Sequence, residues 1–379
     1  MYKSFKFRLY PNDKQKELLN KSFGCSRFIY NYYLSNIKNN GYTDSYSNIS
    51  DYVNNLKYEY SFLQEIDSTV IRKTLFHLDD NLKKFYDNSF SYPKYKSKFD
   101  KYSYTTSAVY RYYKYKNYCN IELDLVNRKI KLPKLKWIDI RGYRNIKNIN
   151  GKIVNATISK EKNGKYYVYV LFNLIDIKNN NYIPQSIVGI DLGIKKLLTL
   201  SDGITYDNNK YIEKYEKRIK RLQRELSRKV KRSNNYYKCK KKLANLHSKL
   251  KNARNYYLHN ITKKITDEYD IITCEKLSVQ KMLGNKELSK KINDASFYEI
   301  IRQLEYKCKY KNKLFYQIDT YYPSSQECHV CGNIDKKYKS LNERVYKCPK
   351  CQNKIDRDLN ASINIMYEGI KLYMKEIRI

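Results

Sequence analysis

The chain is 379 residues long and carries 76 Lys and Arg residues against 38 Asp and Glu residues, a formal net charge of +38. Such an excess of cations predicts an extended polyanion as partner, and nucleic acid is the natural candidate. No stretch reaches the roughly 18 uninterrupted apolar residues of a spanning helix, so no contact with a membrane core is expected. We expect a soluble, intracellular protein of two or three domains.

The first half of the chain predicts a β domain that is interrupted by helices. Tyr2–Tyr10 alternates as a strand does, and from Asp13 to about Ser89 apolar residues recur at helical spacing. Strands separated by turn signals then follow at Ile121–Val126, Lys129–Leu132, Ile153–Ser159 and Tyr166–Leu174. The prediction is a small antiparallel barrel, residues 1–10 and 105–184, with a helical module inserted at residues 11–104.

Three carboxylates in the second half occupy positions where a core residue or a helix start is expected. Asp191 lies in the apolar hairpin SIVGIDLGIKKLLTL, Glu275 ends the apolar strand Ile271–Glu275, and Asp358 stands at the entry of an amphipathic helix. A buried carboxylate without a partner is costly, so pairing or metal coordination is expected. Taken singly, a helix N-cap for Asp358 and a salt bridge from Glu275 to Lys276 are simpler interpretations. Taken together, the three fit the two-metal site of a ribonuclease H-like fold.

Between the first two carboxylates the sequence is strongly basic and helical in pattern. The turn Ser233-Asn234-Asn235 separates two apolar stripes. A solvated face or a partner helix would account for such a pattern, whereas the density of cations favours an anionic partner alongside. The stripes are Ile212, Tyr215, Ile219, Leu222, Leu226 and Val230, then Leu243, Leu246, Leu250, Ala253 and Tyr257.

Four of the nine cysteines occur in two pairs near the end of the chain. Cys328, Cys331, Cys348 and Cys351 have the spacing C-x2-C, sixteen residues, C-x2-C, which suits one tetrahedral zinc ion. Disulfides are the competing interpretation, and the odd cysteine count and the lack of an apolar signal segment disfavour them. The prediction is a structural Zn²⁺ ribbon, residues 326–351, inserted just ahead of Asp358.

Motifs in matching order along nearly the whole chain resemble the TnpB family, the RNA-guided nucleases encoded by small insertion sequences and regarded as ancestors of type V CRISPR effectors. No single motif carries the resemblance, which rests on their order and spacing. The motifs are FRLYPNDKQKELLNKSFGCSRFIYN (7–31), SYPKYKSK (91–98), KLPKLKW (131–137), GIDLG (189–193), NARNYYLH (252–259), CEKLSV (274–279), YYPSSQECHVCG (321–332) and DRDLNASINI (356–365).

The resemblance implies an α/β multidomain fold and a role for each site residue. A ribonuclease H-like (RuvC) nuclease domain, residues 185–325 and 352–379, would use Asp191, Glu275 and Asp358 as its catalytic triad. Asp358 is preferred over Asp356 because the family constant is the aspartate two residues before the asparagine, here Asn360. The four cysteines would bind Zn²⁺ in the inserted ribbon. The barrel would be the wedge domain, and the helical module would be the recognition lobe.

The resemblance also implies the activity, partners and cofactor. The protein would bind a guide RNA encoded by its element, read a short flanking motif in double-stranded target DNA, and cleave that DNA with Mg²⁺ at one active site. The basic helices would lie along the guide:target duplex. A prokaryotic cytoplasm, in association with the nucleoid, is the expected location, since the sequence CEKL around Glu275 looks like the prokaryotic arrangement. A viral or eukaryotic host stays open, because related proteins occur in both.

Three other functions compete with this interpretation. A nuclease-inactive RNA-guided DNA-binding regulator would have lost the acids, whereas all three are present. A transposition accessory protein that binds polyanions without a guide is the fallback. A transposase acting on element ends is disfavoured, because no two of the four histidines form a His-x-His pair and the triad ends in Asp358 where a DDE enzyme has Glu.

Overall fold

The computed structural model describes residues 1–40, 49–113, 116–142, 149–175, 183–277, 286–339 and 343–377. The chain divides into two compact units, Met1–Ile177 and Lys178–Ile379. Within the described ranges, no helix has the length and apolar character needed to cross a membrane.

The first unit contains a seven-stranded antiparallel sheet. Strands of this unit are β1 Tyr2–Tyr10, β2 Tyr102–Ser107, β3 Tyr110–Tyr113, β4 Lys116–Cys119, β5 Glu122–Asp124, β6 Lys129–Leu132, β7 Lys136–Arg141, β8 Gly151–Lys160 and β9 Tyr166–Leu174. The sheet order is β2-β8-β9-β1-β7-β6-β5, and β3 and β4 form a separate hairpin. The antiparallel strands are confirmed. In the described part of the chain no ladder joins the edge strands β2 and β5, so closure into a barrel stays a prediction.

Three helices separate β1 from β2 and form the predicted helical module: α1 Asp13–Asn40, α2 Ile49–Glu59 and α3 Ser68–Tyr86. Asp67 caps α3 by accepting a hydrogen bond from the backbone N–H of Thr69. Buried apolar residues of these helices and of the sheet form one core. Strand β2 begins at Tyr102, ahead of the predicted boundary at residue 105. Its sequence YSYTTS lacks the aliphatic alternation from which the other strands were predicted, so the pattern did not mark its start.

The second unit is built on a five-stranded mixed sheet. Its strands are β10 Ile187–Leu192, β11 Lys196–Leu200, β12 Thr205–Asp207, β13 Ile271–Glu275 and β14 Leu314–Ile318, in the order β12-β11-β10-β13-β14. The strands β10, β13 and β14 are parallel, and β11 is antiparallel to both of its neighbours. The predicted hairpin around Asp191 and the predicted strand ending at Glu275 are confirmed.

The helices of this unit are α4 Tyr211–Ser227, α5 Asn234–Glu268, α6 Lys286–Ala295, α7 Phe297–Tyr310 and α8 Arg357–Ile377. Helices α5 to α8 pack on the sheet, whereas α4 packs on α5. Residues of α5 and α7 share a buried core with β10 and β13, including Leu258, Ile265, Phe297 and Ile300. On the opposite face, the backbone of α8 lies directly against β10. The sheet is therefore buried between helices on both of its faces. This is expected for strands whose sequences are continuous apolar runs.

The two helices predicted on either side of the turn Ser233-Asn234-Asn235 are present, with one correction. Ser233 caps α5 by accepting a hydrogen bond from the backbone N–H of Tyr236 at 3.1 Å, as the turn signal indicated. The prediction that Val230 continues the apolar stripe is wrong. Helix α4 ends at Ser227, and the side chain of Val230 in the following turn is 77% exposed.

The cysteine-rich segment contains a short hairpin that leads into α8. Strands β15 Val345–Lys347 and β16 Lys354–Asp356 pair antiparallel around the second cysteine pair. The chain passes from β16 into α8 without a linker. The hairpin therefore extends beyond the predicted boundary at residue 351, because β16 must return alongside β15 before the helix can begin.

Candidate active site and zinc site

Strand register brings Asp191 and Glu275 side by side. The parallel pairing of β10 with β13 matches Ile190 with Cys274, so the next residue of each strand is one of the two carboxylates. Neighbouring strands lie about 4.8 Å apart, and both carboxylates stand at the carboxyl ends of parallel strands. Ligand sites form at that edge of an α/β sheet.

Alternation along the strands places both carboxylates on the face that α8 covers. Gly189 shares a face with Asp191, and Thr273 shares a face with Glu275. A Cβ atom at Gly189 would lie 2.1 Å from the Ser362 carbonyl oxygen of α8. The strand and the helix backbone touch here because Gly189 has no side chain. This contact fixes the start of α8, where Asp358 is located, over the two strand carboxylates.

The structure gives Asp356 and Asp358 different roles. The Asp356 carboxylate accepts hydrogen bonds from the backbone N–H groups of Asp358 and Leu359, so Asp356 caps the helix. Its second oxygen lies 3.5 Å from the Lys196 ammonium. Asp358 lies one residue inside the helix, in the first turn of α8. The N-cap interpretation of Asp358 is therefore wrong, because Asp356 occupies that position.

Asp191 lies within electrostatic range of the other two carboxylates. Burial raises the pKa of Asp191 well above its ordinary value, and the negative charges of Glu275 and Asp358 raise it further. The buried guanidinium of Arg357 opposes this shift. Burial also raises the pKa of Glu275, against a hydrogen bond that its carboxylate accepts from Ser324. A cluster of this kind is stabilised by cations.

Three residues near the carboxylates were not singled out in the sequence. Ser324, which is buried, donates its hydroxyl to Glu275, and no ion pair to Lys276 forms among the described residues. The Arg344 guanidinium lies 3.6 Å from the Asp358 carboxylate. Arg357 donates to the Ser325 hydroxyl at 3.3 Å. No local pattern distinguishes these side chains, since each approaches the site only through the tertiary fold.

The four cysteines converge on a single point. Their sulfur atoms all lie within 4.8 Å of one another, with 3.6 Å between Cys328 and Cys351 and 3.5 Å between Cys331 and Cys348. Zn–S bonds of about 2.3 Å in a tetrahedron separate sulfur atoms by roughly 3.8 Å. The sulfur atoms are too far apart for a disulfide, whose S–S bond is about 2.05 Å. The donor set fits a tetrahedral Zn²⁺ ion.

Each cysteine pair sits in the same backbone turn. The first cysteine of each pair donates its N–H to an asparagine carbonyl five residues on, at 2.9 Å in both turns. The residue after the second cysteine has a left-handed conformation, with φ of 69° at Gly332 and 60° at Gln352. The Cys348 sulfur accepts a hydrogen bond from the backbone N–H of Cys351 at 3.5 Å, which favours a thiolate ligand.

The three carboxylates differ from the cysteines in one respect. Within the described residues, the four cysteines are the only group of three or more His, Cys, Asp or Glu side chains placed closely enough to hold one metal ion. Asp191, Glu275 and Asp358 do not form such a group.

Three family models match separate parts of the chain. The OrfB_IS605 model, described as "Probable transposase", matches residues 173–286, which include Asp191 and Glu275. The Cas12f1-like TNB domain model matches residues 297–365, which include the four cysteines and Asp358. A helix-turn-helix domain model matches residues 1–43. In the part of that segment which the structure describes, a strand precedes one long helix.

Two bacterial relatives align with nearly the whole chain. A Streptomyces pristinaespiralis protein named "Putative RNA-guided DNA endonuclease" is 32% identical over 97% of this chain and 89% of its own length. The InsQ protein of Escherichia coli K12, which has the same description, is 29% identical over 97% of this chain and 92% of its own length.

A solved structure shares the fold. It is described as the cryo-EM structure of the Cas12f1-sgRNA-target DNA complex and superposes with a TM-score of 0.58, covering 97% of this chain and 98% of that chain at 13% identity. At that identity the likeness shows a common multidomain α/β fold. The matched models and the end-to-end relatives confirm the resemblance: the chain belongs to the TnpB family of IS605-type elements.

Proposed function

We propose that the protein is an RNA-guided DNA endonuclease whose second unit is a ribonuclease H-like (RuvC) nuclease domain. The observation that carries this proposal is the convergence of Asp191, Glu275 and Asp358 at one edge of the mixed sheet. Strand order β12-β11-β10-β13-β14, with β11 as the antiparallel strand among its neighbours, supports the nuclease fold. The names of the two end-to-end relatives supply the substrate class and the guide.

The three carboxylates suit Mg²⁺, which prefers oxygen ligands. The negative charges of Glu275 and Asp358 beside Asp191 would be neutralised by divalent cations, and we propose two of them. Bound there, Mg²⁺ would activate water and stabilise the leaving oxygen of a phosphodiester. Asp191 and Glu275 would hold the ions from the strand edge, and Asp358 would hold them from the helix.

Charge on the hairpin of α4 and α5 supports a nucleic-acid duplex as partner. Apolar residues of the two helices pack on each other in a small core, which accounts for the two apolar stripes. The remaining face of α4 is covered by exposed cations, of which Lys220 is paired with Glu216 at 2.9 Å. These cations are Lys214, Lys217, Arg218, Lys220, Arg221, Arg224 and Arg228. A surface of this kind neutralises phosphates, and we assign it to the guide:target duplex.

The remaining parts of the activity follow from family membership. The guide would be an RNA encoded by the element itself, and the protein would recognise a short flanking motif in double-stranded DNA before the guide pairs. The first unit, with its sheet and helical module, would grip the guide and the DNA beside the target. The four cysteines would hold a structural Zn²⁺ ion. Action in a prokaryotic cytoplasm gives direct access to target DNA.

The test is to express the gene with its native flanking DNA, purify the protein at high salt, and sequence the bound RNA. We expect one discrete RNA with a fixed scaffold and a 3′ tail that runs into neighbouring DNA. The complex should cut a plasmid that carries the matching target within a library of randomised flanks, and only in the presence of Mg²⁺.

Asp191→Asn is the matched control, because it keeps the shape of the side chain and removes the charge. It should bind the RNA and the target DNA and fail to cut. Retention of a heterogeneous smear of cellular RNA, with cutting that needs no guide, would overturn the proposal. An uncut target with tight guided binding by the wild-type protein would instead favour the nuclease-inactive regulator.

A further inference from the structure

Two buried asparagines on α8 bind the segment that precedes and enters the first cysteine pair. Asn360 and Asn364 lie one helical turn apart, and both are buried. The Asn364 amide donates to the carbonyl oxygens of Ser324 at 2.8 Å and Glu327 at 2.7 Å. The Asn360 amide donates to the Glu327 carbonyl oxygen at 2.6 Å, and its oxygen accepts from the His329 backbone N–H at 3.1 Å. Four hydrogen bonds therefore fix residues 324–329 on the helix.

The two ends of this segment contact different sites. At one end, the Ser324 hydroxyl donates to the carboxylate of Glu275. At the other end, His329 lies between Cys328 and Cys331, and its ring Nδ1 is 2.9 Å from the Asn360 side-chain oxygen. The helix that carries both asparagines begins with Asp358 in its first turn. Hydrogen bonds thus connect the segment at the first cysteine pair to Glu275, and the helix that carries both asparagines also carries Asp358.

A purely structural explanation is that the asparagines only satisfy the backbone groups of a tight turn. Buried backbone carbonyls do need donors, and two amides would supply them. That explanation does not require the Ser324 hydroxyl to reach Glu275, nor the His329 ring to reach Asn360. Each of those contacts extends the network beyond the turn, toward the carboxylates and toward the cysteines respectively.

We propose that Ser324, Asn360 and Asn364 form a positioning network through which the zinc-bound cysteine site sets the placement of Glu275 relative to Asp358. The effect of this network on cleavage rests on the proposed nuclease function. The network assigns to the zinc ribbon a role in metal binding at the carboxylates, because hydrogen bonds through residues 324–329 connect the first cysteine pair to Glu275 and to the helix that carries Asp358. Coupling between two binding sites is reciprocal, so each metal should strengthen the binding of the other.

The first test is Ser324→Ala, with Ser324→Thr as the conservative variant that keeps the hydroxyl. Loss of a residue that orients a metal ligand typically costs about 10- to 100-fold in metal affinity or activity. We expect Ser324→Ala to need at least about tenfold more Mg²⁺ for half-maximal cleavage, while guide and target binding stay unchanged. The Thr variant should restore the wild-type Mg²⁺ requirement. Ser362→Ala is the control, since Ser362 is equally buried on α8 and donates to Leu359 of its own helix.

The second test does not depend on cleavage. Mn²⁺ binding is measured by electron paramagnetic resonance on the zinc-loaded protein with its RNA, and zinc release to a chelator is timed with and without Mn²⁺. In the wild type, Mn²⁺ should slow zinc release. In Asn360→Ala, Mn²⁺ should bind more weakly and zinc should leave at a rate that Mn²⁺ no longer changes. Zinc content and thermal unfolding before the assay show that the variant is folded.

The outcomes separate this inference from the proposed function. Wild-type Mn²⁺ affinity in both Ser324→Ala and Asn360→Ala, together with zinc release that ignores Mn²⁺, would overturn the network. Cleavage by Asp191→Asn at the wild-type rate would overturn the proposed active site instead. A Ser324→Thr variant as impaired as Ser324→Ala would also contradict the role of the hydroxyl.

Discussion

Substitution of Gly189 by Ala tests the contact that brings the helix carboxylate to the strand carboxylates. The added Cβ atom would lie 2.1 Å from the Ser362 carbonyl oxygen and 2.4 Å from the Met366 backbone nitrogen. Both neighbours are backbone atoms of one helix, so they cannot move away as a flexible side chain can. The carbonyl oxygen would have to retreat by about 1.3 Å to reach an ordinary contact of 3.4 Å.

Two effects of this displacement are expected. Overpacking of a tight core contact costs about 1 to 3 kcal/mol, which should appear as a lower free energy of unfolding in urea. Displacement of the start of α8 by about 1 Å moves Asp358 away from Asp191 and Glu275. A misplacement of that size costs about 100-fold in rate, so single-turnover cleavage with Mg²⁺ should fall by about two orders of magnitude.

The assays are urea unfolding of the protein and cleavage of guide-matched DNA by the RNA complex. Gly24→Ala is the control, because a Cβ atom at Gly24 meets no atom within 4 Å and Ala favours the middle of α1. This control should cut normally and gain up to about 1 kcal/mol of stability. A Gly189→Ala protein with wild-type stability and wild-type cleavage would refute the argument that this glycine sets the position of the helix.

Three further predictions concern single sites. Asp191→Asn should stabilise the metal-free protein at neutral pH, because a carboxyl group whose pKa is raised by folding lowers the stability of the fold above its unfolded pKa. The gain in free energy of unfolding should shrink as the pH falls toward about 4. Equal stability of the variant and the wild type at about pH 7 would contradict this prediction. Gln352→Gly should remove about 1 kcal/mol of strain from the left-handed backbone at this position and slow zinc release. Gly332→Ala should add strain of that size and speed zinc release. Combined Lys217→Ala and Arg221→Ala should reduce the log–log salt slope of duplex binding by up to about 1.8, whereas an unchanged slope would place the duplex elsewhere.

Local patterns were sufficient to predict many elements of the second unit. The hairpin around Asp191, the strand before Glu275 and the capped helix after Ser233 depend on residues adjacent in sequence, and all three are confirmed. Strand β14 and the polar strand β2 were not predicted, because neither combines alternation with flanking turn residues. Barrel closure of the first unit remains a prediction.

The sequence by itself identified the four cysteines as candidate zinc ligands and the three candidate carboxylates. Doubled C-x2-C spacing and acids inside apolar runs are local signals that need no knowledge of neighbouring elements. Only the tertiary structure decided which groups support them. Asp356 rather than Asp358 caps α8, Ser324 donates to Glu275, and Arg344 lies beside Asp358. These contacts join residues far apart in the chain, so they depend on strand register and on how closely a helix can approach Gly189, which side-chain patterns alone do not specify.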